Sequence, residues 1–258
     1  MSSNGIYVTA AFKSVETNQA YIFMKNEVVI EDYAPDTKTN DSIVYGPCPI
    51  SESGFSSLKN TIFAERGIDC AFASNEEGVA YIFSGNMCAK WYYAPDDSTD
   101  DEIRDGPMPI ADMFPFLKRT MFETGINAAL ESSGRYEAYL FKGKYFARIN
   151  YDPENKDHRR TNIYPIQDYW PCLRNTTYES GFDAAFGFNN TVTNNCRCTG
   201  ASQVEAYLFK KDSYARIVFT PGQTANQQLK SSKRIKQGWE NLGRILPRPN
   251  VTRKLVAN

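Results

Sequence analysis

Asp183-Ala184-Ala185-Phe186 and, after a loop, Ala206-Tyr207-Leu208-Phe209 are the two phrases that decide the fold, because the chain writes both four times. The first also appears as Thr9-Ala10-Ala11-Phe12, Asp69-Cys70-Ala71-Phe72 and Asn127-Ala128-Ala129-Leu130, with successive copies 60, 58 and 56 residues apart. The second also appears as Ala20-Tyr21-Ile22-Phe23, Ala80-Tyr81-Ile82-Phe83 and Ala138-Tyr139-Leu140-Phe141. A fixed period of this size marks a supersecondary module that buries its apolar face against its neighbours.

Each copy reads as strands. The second phrase is a β-branched and aromatic run that meets hairpin signals at Ser84-Gly85-Asn86, Lys142-Gly143-Lys144 and Lys210-Lys211-Asp212. An alternating strand follows, clearest in Tyr145-Phe146-Ala147-Arg148-Ile149 and Tyr214-Ala215-Arg216-Ile217, and then a polar loop. The repeat ends on Ile110, Phe114 and Leu117, on Ile166, Trp170 and Leu173, and on Ile235, Trp239 and Leu242, a spacing that predicts one face of a short helix. In the first repeat Ile50, Phe55 and Leu58 carry one residue more, which Gly54 is expected to absorb.

Three or four antiparallel strands plus a short helix make a propeller blade, and a radial array of blades leaves only short, protected strand edges. The Ala-Ala phrase suits the crowded axis. The sequence therefore predicts an all-β protein with short helices, a four-bladed β-propeller. A single domain covers 1–258, with approximate blades 6–63, 64–122, 123–178 and 179–247 and a C-terminal tail at 248–258.

Composition narrows the partners. The net charge of −1 gives no reason to expect nucleic acid or an anionic membrane, and no apolar run approaches a transmembrane length. Met1-Ser2-Ser3-Asn4-Gly5 lacks a basic and an apolar signal region, so a cytoplasmic location is expected, with Asn40, Asn175, Asn189 and Asn250 left unglycosylated. Cys70 reads as a small buried hydrophobe, and Cys196-Arg197-Cys198 as part of a variable loop. No two of the six cysteines stand at the two ends of the chain, where a disulfide would close the ring.

Enzyme chemistry has little to stand on. The one histidine is His158, there is no Gly-x-Ser-x-Gly elbow, no His-Glu-x-x-His and no phosphate-binding glycine loop. The chain reads as a non-enzyme. Two charged stretches remain. Asp96, Asp97, Asp100, Asp101, Glu102 and Asp105 form an acidic loop, read as solvated, with polycation binding as the alternative. Lys230, Lys233, Arg234, Lys236, Arg244, Arg248, Arg253 and Lys254 are read as the exposed face of the last helix plus a frayed tail, with an acidic partner or subunit as the alternative.

The phrases Asp-Ala-Ala-Phe, Ala-Tyr-Leu-Phe-Lys, Tyr-Ala-Arg-Ile and Trp-Pro-x-Leu resemble the hemopexin repeat. Gly125-Ile126-Asn127-Ala128-Ala129, Ile110-Ala111-Asp112-Met113-Phe114-Pro115-Phe116 and Tyr33-Ala34-Pro35 resemble the albumin-2 type seed albumins of legumes, over residues 6 to about 247. That resemblance implies a hemopexin-like propeller in seed tissue, pairing into homodimers, with a storage role and binding of a polyamine such as spermine, or of haem. It also implies tunnel ions: calcium, with sodium and chloride as further candidates. The expected cation ligands are the backbone carbonyls of Thr9, Asp69, Asn127 and Asp183, and of Ala11, Ala71, Ala129 and Ala185 two residues on. The side chains at Asp69, Asn127 and Asp183 have a plainer reading as caps at strand starts. A single His158 rules out bis-histidine haem ligation within one chain. The alternative function is a lectin-like protein-interaction or defence module with no dedicated small-molecule site.

Overall fold

Each repeat folds into one four-stranded antiparallel sheet whose strands lie in sequence order. The first blade holds β1 (Ala10–Lys13), β2 (Gln19–Met24), β3 (Glu27–Asp32) and β4 (Ser42–Pro49). The second holds β5 (Cys70–Ala73), β6 (Val79–Ser84), β7 (Met87–Tyr92) and β8 (Glu102–Pro109). The third holds β9 (Ala128–Glu131), β10 (Glu137–Lys142), β11 (Tyr145–Asn150) and a two-residue β12 (Tyr164–Pro165). The fourth holds β13 (Ala184–Phe188), β14 (Val204–Lys210), β15 (Ser213–Phe219) and β16 (Gln228–Arg234). The computed structural model describes residues 5–14, 18–33, 41–95, 98–152, 154, 160–188 and 203–249.

The Ala-Ala phrases form the inner strands. β1 and β9 each touch both β5 and β13, so the four strands close a ring around one axis. Their small side chains are what allow that approach: Ala10, Ala11, Ala71, Ala128, Ala129, Ala184 and Ala185 are all buried. Cys70 is buried as a free thiol in the same row, as its place in the repeat predicts. The core divides into four clusters, one per seam between neighbouring blades. Aromatic rings dominate each; in the first seam Phe12 meets Trp91 and Tyr93 at centroid distances of 6.3 and 5.0 Å.

The helical signature is real but short. Ile110–Met113, Ile166–Tyr169 and Ile235–Gly238 are single α-helical turns, and the first repeat has only a 3-10 turn at Ile50–Glu52. Ile50, Phe55, Leu58 and their counterparts in the other repeats are buried, as the spacing predicts for one face. The extra residue of the first repeat is absorbed where Gly54 donates its N–H to the Tyr45 hydroxyl at 2.7 Å.

A further repeated device carries the chain from blade to blade. Thr61, Thr120 and Thr176 cap a short helix through their hydroxyls, which accept from the backbone N–H of Phe63, Phe122 and Tyr178. A glycine with positive φ ends each of these helices. At Gly67 and Gly181 a Cβ would sit 2.4 Å from the Lys25 backbone and 2.3 Å from the Gly143 carbonyl oxygen, so only glycine lets the chain pass over the blade's own hairpin turn.

Ring closure is non-covalent among the described residues. Ile6 and Arg248 exchange backbone hydrogen bonds of 2.9 and 2.8 Å. The Arg248 guanidinium grips Glu27 of β3 through Nε at 2.7 Å and Nη2 at 2.8 Å. Arg248 is therefore a docked closing residue, which corrects its assignment to a frayed tail. Two other members of the basic segment are paired: Arg234 with Asp212, and Arg244 with Glu240.

Candidate functional site

The axis is where fourfold equivalence concentrates chemistry. At one mouth stand Thr9, Asp69, Asn127 and Asp183, one residue before each inner strand. Each begins the pairing of its strand by donating its N–H to the carbonyl of Phe23, Phe83, Phe141 or Phe209, at 2.8 to 2.9 Å. Their side chains do the same job four times. Thr9 Oγ1 accepts from the Lys25 N–H at 2.9 Å, and Asp69, Asn127 and Asp183 accept from the N–H of Gly85, Gly143 and Lys211 at 2.8 Å. Those four donors occupy the hairpin turns and all have φ between 51 and 61°. Capping such a turn requires only a short side chain with one acceptor oxygen, which is why three residue types share the position. Threonine serves as well as an acid, and its hydroxyl also donates to the Ile68 carbonyl at 2.7 Å. The plainer reading of these side chains as caps is thus correct in kind, with the cap placed on the turn rather than on the strand.

These four residues share a cavity of about 510 Å³ with Lys25, Lys142 and Lys211. Lys25 pairs with Asp69. Lys142 donates to the Met121 carbonyl and the Thr124 hydroxyl, both at 2.7 Å, and burial lowers its pKa. Ala11, Ala71, Ala129 and Ala185 lie further down the axis, paired with Ile22, Ile82, Leu140 and Leu208 in the sheets.

Two functional side chains of the axis escaped the sequence reading. The residues two beyond these alanines are Lys13, Ala73, Glu131 and Gly187, so two charged groups stand opposite each other and two small residues fill the other pair of places. The Glu131 carboxylate spans the axis: it accepts from the Ala73 N–H at 2.8 Å and from the Gly187 N–H at 3.0 Å. Burial pushes its pKa up to about 7, against the pull of those two N–H groups and of Lys13. Burial lowers the Lys13 pKa, with Glu131 opposing. The signal was available: a lysine and a glutamate at one repeat position whose other copies are alanine and glycine.

The acidic loop does not act as a unit. Asp101 is buried and belongs to the seam between the first two blades, where it accepts from Trp91 Nε1 at 2.9 Å and from the Ser57 N–H at 3.1 Å. Asp96, Asp97, His158, Cys196 and Cys198 lie outside the described residues. Among the described residues no three His, Cys, Asp or Glu side chains gather as metal ligands.

A second concavity, about 140 Å³, opens where the third blade meets the fourth. Its walls are aromatic, from Tyr139, Phe146, Tyr164, Tyr169, Trp170 and Phe219, and its rim is polar, with Arg148, Gln223, Thr224 and Gln227.

No protein-family model matches the chain. Albumin-2 of Pisum sativum is 42% identical over 244 residues, 95% of this chain and 98% of that protein. A hemopexin-fold protein from cow pea superposes with a TM-score of 0.82 at 42% identity, covering 94% of this chain and 99% of its own. A plant lectin with two metal binding sites, from Cicer arietinum, superposes with a TM-score of 0.80 at 45% identity, covering 93% of this chain and 99% of its own. Repeat, blade and axis therefore agree with overall similarity, and the chain belongs to the albumin-2 family of hemopexin-fold seed albumins.

Proposed function

We propose that this chain is a non-enzymatic, storage-type seed albumin whose tunnel holds a calcium ion on backbone carbonyls and which binds a polyamine such as spermine. The observation that carries the cation is the state of Thr9, Asp69, Asn127 and Asp183. Their side-chain oxygens are committed to turn amides, while among the described residues no backbone N–H is bonded to their carbonyls. Four equivalent carbonyl oxygens are the hard donors that calcium or sodium takes, with water completing the shell. The lectin from Cicer arietinum, with its two metal binding sites, is a relative of the same fold. The lysines of this mouth, Lys25, Lys142 and Lys211, suit a chloride beside the cation and disfavour a polyamine there. Haem would need a surface other than the 140 Å³ aromatic cavity, which admits one six-membered ring.

The test is a thermal-shift titration with calcium, spermine and haemin, with oligomeric state followed by light scattering. Calcium is expected to raise Tm saturably and exhaustive chelation to lower it, since a ligand bound only to the native state stabilises it by mass action. Unchanged unfolding after chelation would remove the cation from this reading, and the absence of a saturable spermine shift would remove the polyamine.

A lectin-like reading with a ligand cavity, unlike the module without a dedicated small-molecule site expected from sequence, is supported by the aromatic cavity between the third and fourth blades and by the plant lectin of the same fold. It is compatible with storage and uses another part of the molecule.

A further inference from the structure

Several features of the third-to-fourth seam together shape one cavity. β12 has two residues, where β4 and β8 have eight and β16 has seven. In the first seam the Trp91 indole fills the space between blades and is bonded to Asp101. Ile217, like Ile149 in the third blade, holds the register position of Trp91, opposite Ala206 as Trp91 is opposite Ala80, and is the smaller side chain. Gln227 holds the place of Asp101, one residue before the outer strand, and donates to the Tyr169 carbonyl at 2.9 Å. Gly222 donates to the Tyr139 hydroxyl at 2.9 Å and holds the 220–227 loop over the cavity.

What these changes leave is a single-ring slot. Tyr164 and Tyr169 lie 4.3 Å apart between centroids, and Phe146 and Trp170 lie 5.9 Å apart. Tyr169 is 39% exposed, one of two large hydrophobic side chains on the described surface. Trp170 is buried at 2% exposure, and its Nε1–H, like that of Trp239 at the same repeat position, has no partner among the described residues. A volume near 140 Å³ is the size that takes one six-membered ring.

We infer that this cavity is a carbohydrate subsite that takes one pyranose ring of a glycan, stacked on Tyr169 and hydrogen-bonded at its polar rim. The inference rests on the lectin-like reading and gives it a location. The chemistry selects the ligand class. A pyranose offers an apolar C–H face to an aromatic ring and hydroxyls to the surrounding donors and acceptors. A purely aromatic ring makes no use of Gln223 and Thr224 on the rim. A polyamine meets the Arg148 guanidinium, which lies 3.7 Å from the Glu137 carboxylate and keeps its positive charge on the rim.

The experiment uses the three indole Nε1–H resonances of the whole protein, one for each tryptophan in the sequence. Methyl glycosides of galactose, glucose, mannose and the two N-acetylhexosamines are titrated, with sorbitol as an acyclic polyol and phenol as an aromatic ring. One or more glycosides should shift the Trp170 signal saturably while the Trp91 and Trp239 signals stay in place, and sorbitol should not. Tyr169→Ala should weaken that binding at least tenfold with Tm retained, and Gln223→Ala, at an exposed loop residue, about threefold. Absence of a saturable glycoside shift, a shift by phenol alone, or a Tyr169→Ala affinity equal to wild type each overturns the subsite. Binding of the same samples to an immobilised glycan panel separates the two failures. Wild-type binding that Tyr169→Ala leaves intact places the sugar elsewhere and keeps the lectin reading; no binding by either protein removes both.

Discussion

The seam between the first and second blades and the seam that closes the ring share one plan and part where Trp91 of one is matched by Glu31 of the other. In the first seam Asp101 accepts from Ser57 and from the indole of Trp91, joining a helix of one blade to the sheet of the next. At the closing seam Asp41 accepts from the Asn241 N–H at 3.1 Å, the same connection between the first blade and the fourth. The slot of Trp91 is taken there by Glu31: Trp91 pairs with Ile103 and Glu31 with Ile43 at matching places in the two ladders. Glu31 is fully buried, with the Leu242 backbone N–H and the Asp41 carboxylate as its polar neighbours. Burial, with Asp41 adding to it, pushes its pKa from 4.5 up to about 10. A protonated Glu31 can give Asp41 the hydrogen that the indole gives Asp101; an ionised one cannot. The permanent donor sits where the chain is continuous between blades, and the titratable donor sits where its two ends meet.

The comparison breaks most visibly at the aspartates. Asp101→Ala leaves the Trp91 Nε1–H and the Ser57 N–H buried without acceptors, and should cost about 3–5 kcal/mol. Asp41→Ala removes the partner of Asn241 but also relieves the contact between two acids, so its cost should be smaller by about 2 kcal/mol. Chemical denaturation of the two variants at pH 7 measures the gap. Equal costs would show that Glu31 behaves as an ordinary donor.

Glu31→Gln sharpens the same point through pH. An acid whose pKa is higher in the folded state than in the unfolded state binds its proton more tightly when folded, so folding loses stability as pH rises from about 4.5 toward 10. From pH 4.5 to 7 that amounts to about 3 kcal/mol at most, at about 1.4 kcal/mol per pH unit. Glutamine keeps an N–H for Asp41 and needs no proton, so Glu31→Gln should raise Tm at pH 7 and flatten the fall of Tm with rising pH. What remains of the slope between pH 4.5 and 7 should belong to Glu131, whose shift has the same sign and ends near pH 7. A wild-type Tm independent of pH over this range would contradict both assignments.

The four strands of each blade, the inner Ala-Ala row and the buried Ile-aromatic-Leu face were legible because each is written four times, and repetition averages away local ambiguity. Thr9, Asp69, Asn127 and Asp183 were named from the family resemblance, and their shared repeat position is what brings them to one cavity. The groups that sequence reading missed are those where one repeat departs from the others: Glu31 and Trp91 where the third and fourth repeats carry Ile149 and Ile217, and Glu131 and Lys13 among small residues. A period search discards such departures as noise, and their partners are set by contacts across seams. Asp41 and Asn241 are 200 residues apart, and no local pattern connects them. Arg248 was misplaced because its partner, Glu27, lies 221 residues away.

The smallest expected effect tests whether the closing seam is as independent as this comparison makes it. Arg248 and Glu27 are three-quarters buried and joined by two hydrogen bonds, geometry at the stronger end for an ion pair near a surface. Solvent screening still limits the pair, and Arg248→Ala should cost about 1–2 kcal/mol. The backbone exchange between Ile6 and Arg248 does not need the side chain and should survive. Because Glu31 lies in the same seam, the two changes should couple: Arg248→Ala made in the Glu31→Gln background should lower Tm less than in wild type, since a seam that no longer needs a proton tolerates the lost anchor. Strict additivity in that double-mutant cycle would place the ion pair outside the cooperative unit of the seam. The blades would then be held together by Asp41, Asn241 and the aromatic cluster around Trp239, with the chain ends only resting against them.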